Sequence, residues 1–269
     1  MPHHPARLVI IGHPVAQSLS PVIHAAALAA AGIPVRYERM DVPPGGLDDA
    51  LSLLRRDDAG GNVTIPHKEA MWRACNRRSP LAERVGAVNT FWFEDAGTTL
   101  AGDNTDVGGI EHTVALLGGW RAGTRVALLG AGGASAGVLA AAERAGVRDV
   151  RILARTMDRA LALARRFPLA RAVASRAEAL DGADFIVNAT PVGSRDDECP
   201  MPVAEIPSGA RVFDLVYRRG ETAWVRDARA AGHEALDGLP MLLEQAALAF
   251  ERWFGVPPDR SVMAASVRG

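Results

Sequence analysis

Short runs of consecutive apolar residues alternate with stretches of helical periodicity along most of the chain. In the first part the apolar runs are RLVIIG (7–12), VRYERMDV (35–42), GNVTIP (61–66) and AVNTFWF (87–93). Between them, PVIHAAALAAAG starts with proline in its first turn and ends on glycine, the order expected of a helix. TDVGGIEHTVALLGG (105–119) reads as a second helix, capped by Thr105 or Asp106 and closed by Gly118-Gly119. A further series follows: TRVALLG (124–130), DVRILA (149–154), DFIVNAT (184–190) and ARVFDLV (210–216), separated by helices rich in Ala and Arg. PMLLEQAALAFERWFG, opened by Pro240, is amphipathic at helical spacing. This alternation predicts an α/β protein with largely parallel sheets in two domains. The first spans residues 1–104, completed by 238–269 as the last helix returns to it; the second, 105–237, is doubly wound.

Composition narrows the function. The 269 residues suffice for two modest cores, and a net charge of −1 offers no clustered basic field for nucleic acid or a membrane surface. Arginines are interleaved with acids, as in RRDD, RDVR and DARA, which is the pattern of a solvated surface. No run approaches the about 18 apolar residues that span a bilayer. Cys75 and Cys199 lie far apart, without CxxC or zinc-type His spacing, and read as reduced thiols of a cytoplasmic protein that needs no metal. Oligomeric state is left open, a homodimer included.

The run TRVALLG leads into Gly130-Ala131-Gly132-Gly133-Ala134 and then a helical pattern. Glycines in that position allow a tight turn and bring backbone N–H groups against a pyrophosphate at the positive end of a helix. Ser135 takes the place of the third glycine. The next strand ends Leu153-Ala154-Arg155-Thr156, with Arg159 one turn later. An acid there would hold the ribose 2′-OH of NAD; a cation and a hydroxyl suit the 2′-phosphate of NADP.

Small polar residues gather elsewhere. Ser18 and Ser20 stand two apart before Pro21, with Ser20 readable equally as a helix cap. Asn62, Thr64 and Lys68 are separated by even steps, although Pro66 interrupts them; Asn89-Thr90 and Asn104-Thr105-Asp106 follow. Hydroxyls, amides, one lysine and one aspartate describe a pocket for a small, polyhydroxylated anion. Lys68 is the only lysine among thirty Lys and Arg residues. An amine can give up a proton and a guanidinium cannot, so the exception points to proton transfer.

The stretches GHPVAQSLSPVIH, NVTIPHKE, GAVNT, GDNTD, GAGGA, ART, NATPVG, DLVY and GLPMLLEQA, in this order, resemble the shikimate dehydrogenase family over nearly the whole chain. The resemblance implies NADPH-dependent reduction of 3-dehydroshikimate to shikimate, on the way to chorismate and aromatic amino acids. It implies that Ser18, Ser20, Thr64, Asn89 and Gln245 hold the substrate, with Tyr217 near it, and that Lys68 and Asp106 form the catalytic pair. Gly130 to Ala134, Ala154, Arg155, Thr156, Arg159, Asn188, Thr190, Leu215 and Gly238 would line the NADP(H). Departures from the family pattern are Gln17, Val107, Ala154, Arg219 and Ala223, none of them needed for the reaction. Three rival readings remain: a quinate-using paralogue, a non-catalytic NADP-binding sensor, and a folate-type dehydrogenase. The sensor needs neither Lys68 nor Asp106, and the folate enzyme has no use for the paired serines.

Overall fold

A computed structural model describes residues 4–218 and 220–267; Arg219, one of the departures named above, lies outside them. The chain forms two compact units, Met1–Asp106 with Leu242–Gly269, and Val107–Met241.

The first unit is built on strands β1 (Arg7–Gly12), β2 (Tyr37–Asp41), β3 (Ala59–Val63), β4 (Arg77–Arg78), β5 (Thr90–Glu94) and β6 (Thr99–Asp103), in the order β2-β1-β3-β5-β6-β4. Its helices are α1 (Ser20–Ala30), α2 (Leu47–Arg56), α3 (Lys68–Ala74) and α4 (Pro80–Val85). β1 lies parallel to β2 and β3, but β5 runs antiparallel to both β3 and β6. β4 lies parallel to β6, so three of the five pairings are parallel as expected, and the antiparallel β5 is the exception. Asp95, Ala96 and Gly97, all at positive φ, turn β5 directly into β6, a connection far too short for a parallel crossover.

β1 accounts for its own unbroken apolar run. Val9 and Ile11 pack with Leu54, Met71 and Phe91 on one face, while Leu8 and Ile10 pack with Ile23, Ala27 and Phe250 on the other. Successive side chains of a strand point to opposite faces, so a strand covered on both sides is apolar at every position. Each such side chain contributes roughly 1.5–3 kcal/mol by burial.

The second unit begins with α5 (Asp106–Leu116), whose first residue closes the first unit. It continues through β7 (Arg125–Leu129), α6 (Gly133–Arg144), β8 (Asp149–Leu153), α7 (Met157–Arg166), β9 (Ala170–Val173), α8 (Arg176–Leu180), β10 (Phe185–Asn188), β11 (Arg211–Asp214), α9 (Ala223–Ala230) and β12 (Ala235–Leu236). The strand order is β12-β11-β10-β7-β8-β9 with every pairing parallel. Counted from β7, this is the doubly wound nucleotide-binding order, and it reverses between β7 and β10. Ligands of such sheets sit beyond the carboxyl ends of the strands at that reversal.

α10 (Leu239–Phe254) then carries the chain back, and α11 (Arg260–Ala265) packs with α1 in the first unit. Trp253 anchors the return: it is 1% exposed and its indole Nε1 donates to Phe91 O at 3.2 Å.

Candidate functional site

β3 ends at Val63, before the interruption expected at Pro66, so Asn62, Thr64 and Lys68 do not lie along one strand. Pro66 has no N–H to extend the ladder, and Lys68 is instead the first residue of α3. That helix start is fixed from two sides. His67 is buried and donates through Nε2 to Val42 O at 2.6 Å, and Lys68 O accepts from Val88 N at 3.0 Å. From there Nζ reaches Asp106 Oδ2 at 2.7 Å, with side-chain exposures of 25% and 15%. Asp106 begins α5, where a carboxylate is favoured by the positive end of the helix. The pair is partly desolvated, which strengthens it, yet it stays accessible to a small molecule.

Asn89 supports the pair, and its orientation is dictated by its neighbours. Its Oδ1 accepts from Thr105 N at 2.7 Å, so Nδ2 is the atom that points at Asp106 Oδ1, 2.9 Å away. Nδ2 also reaches Thr105 Oγ1 at 2.9 Å and Gln245 Oε1 at 3.2 Å. The Gln245 amide is oriented in turn, because its Nε2 donates to Leu242 O at 2.9 Å.

A second row of polar groups lies beneath. Asn62 Oδ1 accepts from Tyr37 Oη at 2.7 Å, while its Nδ2 donates to Asn89 O at 3.2 Å and to Thr90 Oγ1 at 3.0 Å. Burial pushes the Tyr37 phenol well above its usual pKa, and the Ser20 hydroxyl, donating to it, opposes that rise. A continuous polar chain thus runs from Tyr37 through Asn62 and Asn89 to Asp106 and Lys68. Ser20 does not cap α1: Leu19 occupies that position and makes no side-chain cap bond. Ser18 Oγ accepts from Ser20 N at 3.3 Å, and Ser18 O accepts from Arg39 Nη2 at 2.8 Å. Thr64, half-buried, follows the end of β3 and donates its N–H to Ile11 O at 2.8 Å.

His24 lies against this chain without joining it. It is fully buried and stacks on Tyr37 with centroids 4.4 Å apart and 10° between planes. Burial drives its pKa down to about 3, with Asn62 counteracting. Among the described residues no hydrogen bond of ordinary geometry reaches either ring nitrogen.

In the second unit, Gly130 follows β7 at φ +109°, and a Cβ there would stand 3.0 Å from Ala189 O, at the strand reversal. Beyond it the space is open: a Cβ on Gly132 or Gly133 would meet nothing within 4 Å. Ser135 Oγ accepts from Gly132 N at 3.2 Å, closing the turn into α6. Arg155, Thr156 and Arg159 are all exposed at the start of α7, and Ala154 just before them is half-buried. Among the described residues neither guanidinium has an acidic partner, whereas Arg151 on the preceding strand is paired with Asp149. Two uncommitted guanidiniums beside a hydroxyl, next to an open glycine turn at a helix start, fit a nucleotide bearing a 2′-phosphate.

The loops after β10, β11 and β12 converge. Asn188 O accepts from Leu215 N, and Val216 O from Gly238 N, both at 2.9 Å. Asn188 Oδ1 accepts from Thr190 N at 2.9 Å and from Thr190 Oγ1 at 2.6 Å. Tyr217 is half-buried shortly after β11, on the second unit, whereas the other substrate-side residues belong to the first. The sequence sets Asn62 and Thr105 among the polar groups of the pocket, but it does not mark Tyr37 as a member of the site. Tyr37 gives no signal, being one aromatic in an otherwise exposed strand. Among the described residues no cluster of His, Cys, Asp and Glu could hold a metal ion, and no helix is long and apolar enough to cross a membrane.

Residues 10–91 match the model for the shikimate dehydrogenase substrate binding domain, 117–194 that for shikimate / quinate 5-dehydrogenase, and 238–268 that for the shikimate 5'-dehydrogenase C-terminal domain. A shikimate dehydrogenase (NADP(+)) of Chelativorans sp. (strain BNC1) is 42% identical over 94% of this chain and 92% of its own length. The crystal structure of shikimate 5-dehydrogenase from Thermus thermophilus in complex with NADP(H) and shikimate superposes with a TM-score of 0.89 at 41% identity, covering 97% of this chain and 98% of that one. Shikimate dehydrogenase from Aquifex aeolicus superposes with a TM-score of 0.91 at 34% identity, over 98% of each chain.

Proposed function

Because this chain belongs to the shikimate dehydrogenase family, we propose that it is an NADP-dependent oxidoreductase interconverting 3-dehydroshikimate and shikimate, a reaction consistent with aromatic biosynthesis. The bond between Lys68 Nζ and Asp106 Oδ2, braced by Asn89, is the observation that carries this reading.

Reducing a ketone needs a hydride on carbon and a proton on the oxygen. NADPH, when bound, supplies the hydride. Lys68 supplies the proton: one of its three N–H bonds is spent on Asp106, and the others are free to polarise the carbonyl oxygen and then protonate it. In the reverse direction the amine takes the proton from the alcohol. Asp106 holds the ammonium in line and accepts from a substrate hydroxyl. Ser18 and Ser20 take the substrate carboxylate, Thr64, Asn89 and Gln245 its hydroxyls, and Tyr217 completes the set. The backbone from Gly130 to Ala134 wraps the pyrophosphate, and Arg155, Thr156 and Arg159 take the 2′-phosphate beside Ala154. Thr190, Leu215 and Gly238 line the remainder of the cofactor.

The test is absorbance at the reduced-nicotinamide band with shikimate or quinate, each with NADP+ or NAD+. Shikimate with NADP+ is expected to give the highest kcat/KM. Preference for quinate or for NAD+ would overturn the assignment.

A further inference from the structure

One buried carboxylate ties the carboxyl end of β10 to the chain that follows β11. Asp214, the last residue of β11, has no exposed surface. Its Oδ1 accepts from Asn188 Nδ2 at 2.8 Å and from Val216 N at 3.1 Å, and its Oδ2 from Thr222 Oγ1 at 2.8 Å. Three donors converge on it, and among the described residues no cation pairs with it. The charge is costly there: burial raises the Asp214 pKa to about 6 against the pull of those three bonds, and nearby Asp237 adds to the rise. If packing were all the position required, an apolar or amide side chain would serve at lower cost. A carboxylate can accept at both oxygens, and an amide cannot.

The bonds lead outward to the loops. Asn188, held by Asp214, holds Thr190 in turn. Val216 is held through its N–H, and its carbonyl receives Gly238 N. A Cβ on Gly238 would stand 2.3 Å from Leu215 O, so these two loops meet backbone to backbone. In a doubly wound sheet β7 and β8 take the adenosine half of a dinucleotide, which leaves the loops after β10 to β12 for the other half.

We propose that Asp214 is a positioning residue for the nicotinamide half of the cofactor: through Asn188 and Val216 its carboxylate fixes the loops that carry Thr190, Leu215 and Gly238. This rests on the cofactor reading given above.

Two ligands separate the halves. Adenosine 2′,5′-bisphosphate carries the 2′-phosphate without nicotinamide, and NADP+ carries both. Calorimetric titration of the full chain with each is expected to give an NADP+ Kd at least tenfold weaker in Asp214→Asn, with the bisphosphate Kd within twofold of wild type. Equal weakening of both ligands, or no change in either, overturns the proposal. Should Asp214→Asn fail to fold, Thr222→Val removes one of the three donors and faces the same criterion, with a threefold selective loss. Wild-type protein binding neither ligand would instead sink the cofactor reading itself.

Discussion

Asn89 Nδ2 donates to Asp106 Oδ1 at 2.9 Å, and the amide cannot turn over, because its oxygen already accepts from Thr105 N at 2.7 Å. The two oxygens of Asp106 are therefore committed separately, one to an amide and one to the Lys68 ammonium. Asn89→Asp keeps the acceptor for Thr105 but sets a second carboxylate against Asp106. It is expected to fold near normally while kcat/KM for shikimate falls at least about tenfold, the equivalent of one lost neutral hydrogen bond. Asn89→Ala strips the acceptor from Thr105 N–H and should lower stability by about 1–3 kcal/mol in urea titration. Wild-type kinetics in the aspartate variant would remove Asn89 from the machinery.

Lys68→Arg retains the charge and removes the transferable proton. With Asp106 still present, kcat is expected to drop by about 10²–10⁴-fold, while calorimetry finds the NADP+ Kd within twofold of wild type. Normal turnover would mean that Lys68 serves only as a cation.

Arg155 lies exposed and without an acidic partner among the described residues, so its removal disturbs no internal contact. Hydrogen bonds to charged groups contribute about 1.5–3 kcal/mol, which converts to a rise of roughly 10- to 100-fold in KM for NADPH in Arg155→Ala. KM for NADH should stay put. Parallel rises for both cofactors would show that Arg155 does not read the 2′-phosphate.

Most of this frame was legible in the chain because it rests on local signals. β1, β7, β8, β10 and β11 are strands buried within their sheets, and each announced itself as an apolar run. β4 and β12 are two residues long, too short to carry a period, and β9, at the edge of its sheet, offers only ARAV with one buried position. β6, TLAGD, has a glycine and an acid where a strand pattern expects apolar residues. Lys68 and Asp106 stood out by residue type, yet the bonds that orient them did not. Asn62 meets Tyr37 across 25 positions, and Gln245 meets Asn89 across 156, distances over which periodicity says nothing. Asp214 was hidden in plain sight as the polar member of an apolar strand.

Asp214 should also shape stability. Its folded pKa is about 6 against an ordinary 3.8, so between those values the folded state binds more protons than the unfolded one. Unfolding free energy therefore falls as pH rises through that window, by about 3 kcal/mol in all from this group. Asp214→Asn removes the term. The stability of the variant relative to wild type, from urea titrations at pH 4 and pH 7, should rise by that order between the two. A constant difference would mean the carboxyl is not perturbed by burial.

His24 carries the opposite sign. Its folded pKa is about 3 against 6.5, so the unfolded state binds the extra proton between these values, and stability falls as pH drops through the window. From pH 7 to pH 5 the loss from this one group is about 2 kcal/mol. His24→Phe preserves a flat ring to stack on Tyr37 and removes two buried nitrogens that have no partner. At pH 7 the variant is expected to match or exceed wild type, by up to about 1–3 kcal/mol, since a buried unsatisfied polar group costs that much. At pH 5 its advantage should widen by about a further 2 kcal/mol, because phenylalanine has no proton to bind in either state. Urea titrations of both proteins at the two pH values measure this directly. An advantage that does not widen on acidification would mean that His24 takes up its proton in the folded state, and that the polar chain beneath the site can accept it.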